Sequence, residues 1–170
     1  MKFLCYLITF LQIFLISCNQ IPSQNNAVTG IIPKPVLSEN IRGQFKLEED
    51  ARISVSGDPE KLDGITRYFI REILNITGIQ LQLTGNSSEE SSIQFLLKDG
   101  GEPPESYRLT ILPGQMKIEA GDAAGLFYGI QTFLQMIASG TGSTDHLSVS
   151  CIKIEDEPEF KWRGMHLDVS

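Results

Sequence analysis

Tyr107-Arg108-Leu109-Thr110-Ile111-Leu112-Pro113-Gly114-Gln115-Met116-Lys117-Ile118-Glu119-Ala120, running on through Gly121 into Asp122-Ala123-Ala124-Gly125-Leu126-Phe127-Tyr128-Gly129-Ile130, is the stretch that decides the fold class. Its first half has period two. Tyr107, Leu109 and Ile111 form one apolar run, and Met116, Ile118 and Ala120 form another after a break. The break is Pro113-Gly114, a pair suited to the central positions of a type II turn, so the two runs read as a hairpin. The second half has the helical period: from Asp122 onward, Ala123, Leu126, Phe127, Ile130, Leu134 and Ile137 fall on one stripe, and Gly140 supplies a stop. A one-faced hairpin that runs directly into a one-faced helix implies a helix packed on a sheet.

The preceding residues repeat the theme. Asp58-Pro59 pairs an N-cap acceptor with a proline at the first helical position. Leu62, Ile65, Thr66, Phe69, Ile70, Ile73 and Leu74 then recur on one face, and Gly78 suits a left-handed helix end. Ile53 and Val55, Leu81 and Leu83, and Ile93, Phe95 and Leu97 alternate as short strands, and Leu147, Val149, Cys151 and Ile154 supply a last one. The reading is an α+β domain over residues 31–155, an antiparallel-rich sheet with two helices on one face. Order is expected to begin at Ile31-Ile32-Pro33-Lys34-Pro35, where two prolines hold the chain extended.

The 170 residues are 41% apolar and 21% charged, the usage of an ordinary globular domain. Fourteen Lys and Arg against 21 Asp and Glu give a formal charge of −7. An acidic balance of that size argues against nucleic acid as a partner, since phosphate neutralisation needs a basic face. The N-terminus has a different purpose. Lys2 precedes an apolar stretch from Phe3 to Ile16 that would span about 21 Å as a helix, short of a bilayer core of about 30 Å. It reads as a secretory signal over residues 1–17. Leu15-Ile16-Ser17-Cys18 resembles the lipobox of bacterial lipoproteins, which implies cleavage before Cys18, its acylation, and a place in the bacterial cell envelope; the plainer reading is a signal peptide with an incidental cysteine. Residues 18–30, rich in Gln, Asn and Ser, then form a flexible tether. Cys151 has no disulfide partner once Cys5 and Cys18 are set aside, and its alternating surroundings make it a core thiol.

Beyond Glu155 the pattern changes. Asp156-Glu157-Pro158-Glu159-Phe160 reads as a linker, and Met165-His166-Leu167-Asp168-Val169 as the first strand of something new. A lone strand exposes unpaired backbone groups, so the sequence is expected to continue in a further domain.

Three stretches carry a family resemblance. Ile31-Ile32-Pro33-Lys34-Pro35, then Glu105-Ser106-Tyr107-Arg108-Leu109 with Gly125-Leu126-Phe127-Tyr128-Gly129-Ile130-Gln131-Thr132, resemble the non-catalytic N-terminal domain of the family-20 glycoside hydrolases, the β-N-acetylhexosaminidases. Phe160-Lys161-Trp162-Arg163-Gly164-Met165-His166-Leu167-Asp168-Val169-Ser170 resembles the opening strand of their (β/α)8 catalytic barrel, so residues 156–170 are expected to be a linker and the truncated start of that barrel. One position departs: Glu159 stands where the family often has Arg. The resemblance implies an enzyme that removes terminal β-linked N-acetylglucosamine or N-acetylgalactosamine from glycans, with neither metal nor organic cofactor. Substrate assistance replaces the usual carboxylate nucleophile: the substrate's acetamido oxygen attacks, an Asp orients it, and a neighbouring Glu serves as acid, then base. That Asp-Glu pair belongs to the body of the barrel; Asp156-Glu157 lies in the linker and reads as non-catalytic.

The residue carried over by motif is Arg163, whose family counterpart bonds the hydroxyls of the terminal sugar. A guanidinium suits this because it presents several fixed donors and keeps its charge. The alternative is an arginine paired with a carboxylate for structure alone. Asp168 is expected beside it as a supporting neighbour, His166 as a core histidine, and Trp162 as packing. A different class of reading, a free-standing lipid-anchored binding module, would be favoured by a chain that ended cleanly after Glu155.

Overall fold

Asp58 and Pro59 start the first helix as their chemistry dictates. In the computed structural model, which describes residues 30–84, 91–98, 100–139 and 148–164, the Asp58 carboxylate accepts the Glu60 N–H at 3.0 Å. Helix α1 runs Pro59–Thr77 and ends at Gly78, whose φ of 75° lets its N–H reach the Leu74 carbonyl at 2.9 Å. It buries Leu62, Thr66, Phe69 and Ile73, the centre of the expected stripe. Helix α2, Ala123–Ser139, follows Asp122, whose Oδ1 accepts the Gly125 N–H at 2.8 Å. Its buried face differs from the expected one. Leu126, Gly129, Ile130, Phe133, Met136 and Ile137 are buried, while Phe127 and Leu134 lie at the margins. The stripe is rotated because a reading by side-chain bulk gives no weight to the glycines, which here mark the closest approach to the sheet.

Seven strands form one sheet: β1 Leu37–Lys46, β2 Arg52–Ser56, β3 Gln82–Thr84, β4 Ile93–Leu97, β5 Tyr107–Leu112, β6 Gln115–Ala120 and β7 Ser148–Asp156, in the spatial order β1-β7-β5-β6-β4-β2-β3. The β5–β6 hairpin closes between Leu112 and Gln115 on Pro113-Gly114, with Gly114 at φ 80° as a type II turn requires. The antiparallel-rich sheet expected from the sequence is evenly mixed. β1–β7, β5–β7 and β5–β6 pair antiparallel; β2–β3, β2–β4 and β4–β6 pair parallel. The helical crossover from β2 through α1 to β3 returns the chain in the same direction, which makes that pair parallel. Because the hairpin seats β5 beside β6, β7 joins the free edge of β5 and runs parallel to β6 after α2.

Two strands read differently from the sequence pattern. β1 is absent from it because, within the strand, only Phe45 is buried, and the register breaks between Asn40 and Gln44, so no period-two signal survives. β3 is a three-residue strand at the edge of the described sheet: Leu81 is buried just ahead of it, whereas Leu83 is 63% exposed. The core joins all layers through four phenylalanines. Phe69 of α1 meets Phe95 of β4 edge-on at 5.1 Å and Phe133 of α2 at 6.1 Å, and Phe133 reaches Phe45 of β1 at 6.4 Å. Cys151 is buried and free, as read, and burial pushes its thiol pKa up.

Several sequence readings fall outside the described residues: the signal at 1–17, lipidated Cys18 and nearly all of the tether, the helix stop at Gly140, Leu147, and the barrel strand from Met165 with His166 and Asp168. Among the described residues, no helix is long and apolar enough to cross a membrane.

Candidate functional site

The two ends of the described chain meet on the outer side of α2. The Ile32 N–H bonds Gln135 Oε1 at 2.9 Å, and the Val36 N–H bonds Asp156 Oδ1 at 3.1 Å. Asp156, read as linker, closes β7 instead, and its other carboxylate oxygen takes the Tyr107 hydroxyl at 3.4 Å. That hydroxyl also shares a 2.7 Å hydrogen bond with buried Thr132, and burial pushes the phenol pKa up. Both oxygens of Asp156 are therefore engaged in closing the domain.

Between these ends lies a groove of about 480 Å³, walled by Ile31–Pro33, Tyr128, Gln131 and Pro158–Phe160, with Arg163 at its rim. Apolar side chains cluster there without cover: Ile32, Val36, Phe160 and, next to it, Trp162, which is 94% exposed. The expectation that Trp162 packs is not met within the described residues. It projects from a backbone segment with no regular structure, and among the described residues no element lies over it.

Arg163 is held at the rim by two contacts. Its Nη2 donates to Glu105 Oε2, and its guanidinium carbon lies 5.7 Å from the centre of the Tyr128 ring. A guanidinium has five N–H donors, so most of this fork is not taken up by Glu105. Glu105 stands in a left-handed backbone conformation, φ 63°, fixed by its own N–H to Asp122 Oδ2 at 2.8 Å. Neither Glu105 nor Tyr128 is singled out by sequence as a site residue. Both lie in stretches that carry the family resemblance, but a contact across 58 positions leaves no local signal.

The other face of the sheet carries charge. Arg108 donates to Glu155 at 2.8 Å and sits opposite Glu119 across the hairpin; Lys153 meets Glu155 at 3.0 Å; Lys98 and Lys117 meet Glu119 at 3.2 and 3.3 Å. The hydrogen bond from Arg108, joined by Lys153, holds the Glu155 carboxyl below the ordinary range. Burial alone would raise Glu119, and the two lysines more than reverse it. Each of these two carboxylates is shared by two basic groups, so the face is a network of ion pairs, with four cations to two carboxylates among the groups named. Among the described residues, no group of three or more His, Cys, Asp and Glu is placed to hold a metal ion.

Residues 28–157 match the family described as glycosyl hydrolase family 20, domain 2. The chain is 29% identical over 143 residues to the β-N-acetylhexosaminidase of Cellulomonas fimi, covering 82% of this chain and 28% of that protein. It is 28% identical over 156 residues to a β-hexosaminidase of Porphyromonas gingivalis, covering 88% and 20% respectively. The structure superimposes with a TM-score of 0.70 on the N-acetyl-β-hexosaminidase of Streptomyces plicatus solved with Thio-NAglucal, at 25% identity, over 81% of this chain and 28% of that one. The chain thus spans between a fifth and three-tenths of the length of these relatives.

Proposed function

The chain belongs to glycosyl hydrolase family 20, whose domain 2 it carries over residues 28–157, and from that premise we propose that it is the N-terminal part of a β-N-acetylhexosaminidase acting on glycans that end in β-linked N-acetylglucosamine or N-acetylgalactosamine. The observation that carries the reading is continuity. The domain match runs to residue 157, and Phe160-Lys161-Trp162-Arg163-Gly164, the segment that resembles the opening of the barrel, begins three residues later.

In this reading the described domain is accessory, and Arg163 is its link to the chemistry. Arg163 bonds hydroxyls of the terminal sugar, and Asp168 supports it. The acid–base Glu and the Asp that orients the acetamido group lie in the barrel beyond this chain. The leaving oxygen must gain a proton while positive charge grows on the sugar, which is the work of that Asp-Glu pair. The hydrolytic step therefore needs residues outside the 170, and the chain alone is inactive.

Two measurements with a chromogenic N-acetyl-β-glucosaminide test this. The 170-residue chain gives no turnover, whereas the longer enzyme that carries it does, and Arg163→Ala there lowers kcat/KM by about ten- to a hundredfold, the loss of one or more charge-assisted hydrogen bonds. Turnover by the chain alone would refute the placing of the acid beyond it, and would favour neither this reading nor a pure binding module. Wild-type kcat/KM in Arg163→Ala would remove the arginine from the sugar site.

The N-terminus extends the proposal. Cys18 is acylated after removal of residues 1–17 and holds the enzyme in the bacterial cell envelope, since even two acyl chains anchor a protein stably. In cells, the protein follows the membrane fraction, and Cys18→Ala releases it; membrane retention of that variant would exclude the lipid.

A further inference from the structure

Among the described residues, Glu105 is the one non-glycine residue with positive φ, 63°, a conformation that L-residues other than Asn and Asp seldom adopt without a reason. The surroundings enforce it. The Glu105 N–H bonds Asp122 Oδ2 at 2.8 Å while Oδ1 of the same carboxylate caps α2 through Gly125 N–H at 2.8 Å. The next residue is tied down as well, with Ser106 Oγ and N both donating to the Pro103 carbonyl, at 2.7 and 3.2 Å. Helix α2 approaches this corner so closely that a Cβ on Gly125 would stand 2.1 Å from the Ser106 carbonyl oxygen. The Glu105 carboxylate is consequently carried on one of the most constrained corners of the domain, and it is aimed at the residues that leave it.

What it meets there is Arg163, the last residue but one in the described structure, which also lies over the Tyr128 ring. We propose that Glu105 is a latch. It fixes Arg163, and with it the path of residues 157–163, against the N-terminal end of α2, so that the chain departs from the domain at one place and in one direction. Three features make this more than an incidental surface pair. The backbone that carries the glutamate is fixed by Asp122, so pairing has only the side-chain torsions left to order. The partner guanidinium has an aromatic face beneath it. The pairing also leaves other N–H groups of the fork unclaimed by Glu105, so holding Arg163 and using it are compatible. The significance for sugar binding rests on the hexosaminidase reading above; the latch itself rests only on these contacts.

The test needs no hydrolytic activity, so its failure and the failure of that reading are separate results. Trypsin cleavage after Lys161, two residues before the latch, is followed by mass spectrometry in the 170-residue chain. Glu105→Gln, which keeps shape and removes charge, accelerates cleavage there by about two- to fivefold, the worth of a partly exposed ion pair, as the segment opens more often. Arg163→Gln does the same. The double variant is cut no faster than either single one, because both lose a single interaction. Cleavage at the parent rate in Glu105→Gln, or two accelerations that multiply in the double variant, would overturn the latch.

Discussion

Gly125 and Gly129 lie one turn apart in α2, and each is set by an obstacle. A Cβ on Gly129 would stand 2.6 Å from Ile118 Cγ2 and 3.1 Å from the Tyr107 ring; on Gly125 it would strike backbone, the Ser106 carbonyl oxygen at 2.1 Å. Gly64 in α1 faces open space, with nothing within 4 Å of such an atom. The same substitution therefore has opposite signs in the two helices. Gly125→Ala destabilises by about 1–3 kcal/mol, overpacking outweighing the gain in helix propensity, whereas Gly64→Ala stabilises by about 0.5–1 kcal/mol. Urea unfolding of the two variants checks this, and a stabilised Gly125→Ala would mean that α2 sits further from β5 than described. In sequence, Gly125 and Gly129 enter as letters of a family resemblance. Their physical reason, a helix pressed against the Ser106 backbone at Gly125 and against the Ile118 and Tyr107 side chains at Gly129, is visible only where strand and helix meet. Glu105 is a parallel case: nothing in the composition of its loop predicts a left-handed glutamate, because what holds it there is Asp122, seventeen positions on.

Elements were legible in proportion to their burial and length. Helix α1 could be read nearly to the residue because its caps are local chemistry, Asp58 before and Gly78 after, and its apolar face is continuous. The β5–β6 hairpin was legible for the same reason, since a two-residue turn fixes its own register. Edge strands were not: β1 hides its one buried within-strand side chain, Phe45, behind a register break. Across the open face of the sheet, the charged residues look in sequence like ordinary solvated positions, yet they interlock over three strands, Glu155, Arg108 and Glu119 in one row. This arrangement sets an acid response. The folded-state carboxyls of Glu155 and Glu119 lie below the ordinary value of 4.5, so the stability they contribute is complete above that value and is lost as the pH falls through their lower folded values. Replacing Glu155 by Gln removes part of this dependence. The variant is less stable than the parent at pH 7, by about half a kcal/mol for so exposed a pair, and the gap is smaller at pH 3. Parallel stability curves at the two pH values would show that Arg108 and Glu155 do not interact in solution.

At the scale of the whole molecule, one side of the sheet carries a network of ion pairs and the other is covered by helices whose outer surface collects both ends of the described chain. Val36 and Asp156 are joined by a hydrogen bond although 120 positions separate them. The first and last described segments are thereby brought to the same groove, where Tyr128 and Phe160 present aromatic surface. The sequence by itself determined the α+β class, both helices with their start signals, the central strands and the family, because hydrophobic period, capping and motif are properties of neighbouring residues. Only the tertiary structure decided the strand order, the even mixture of parallel and antiparallel pairs, the rotated face of α2 and the meeting of Arg163 with Glu105. Those depend on which distant surfaces exclude water from one another, and that is a property of the assembled layers, with no trace in any local window of the chain.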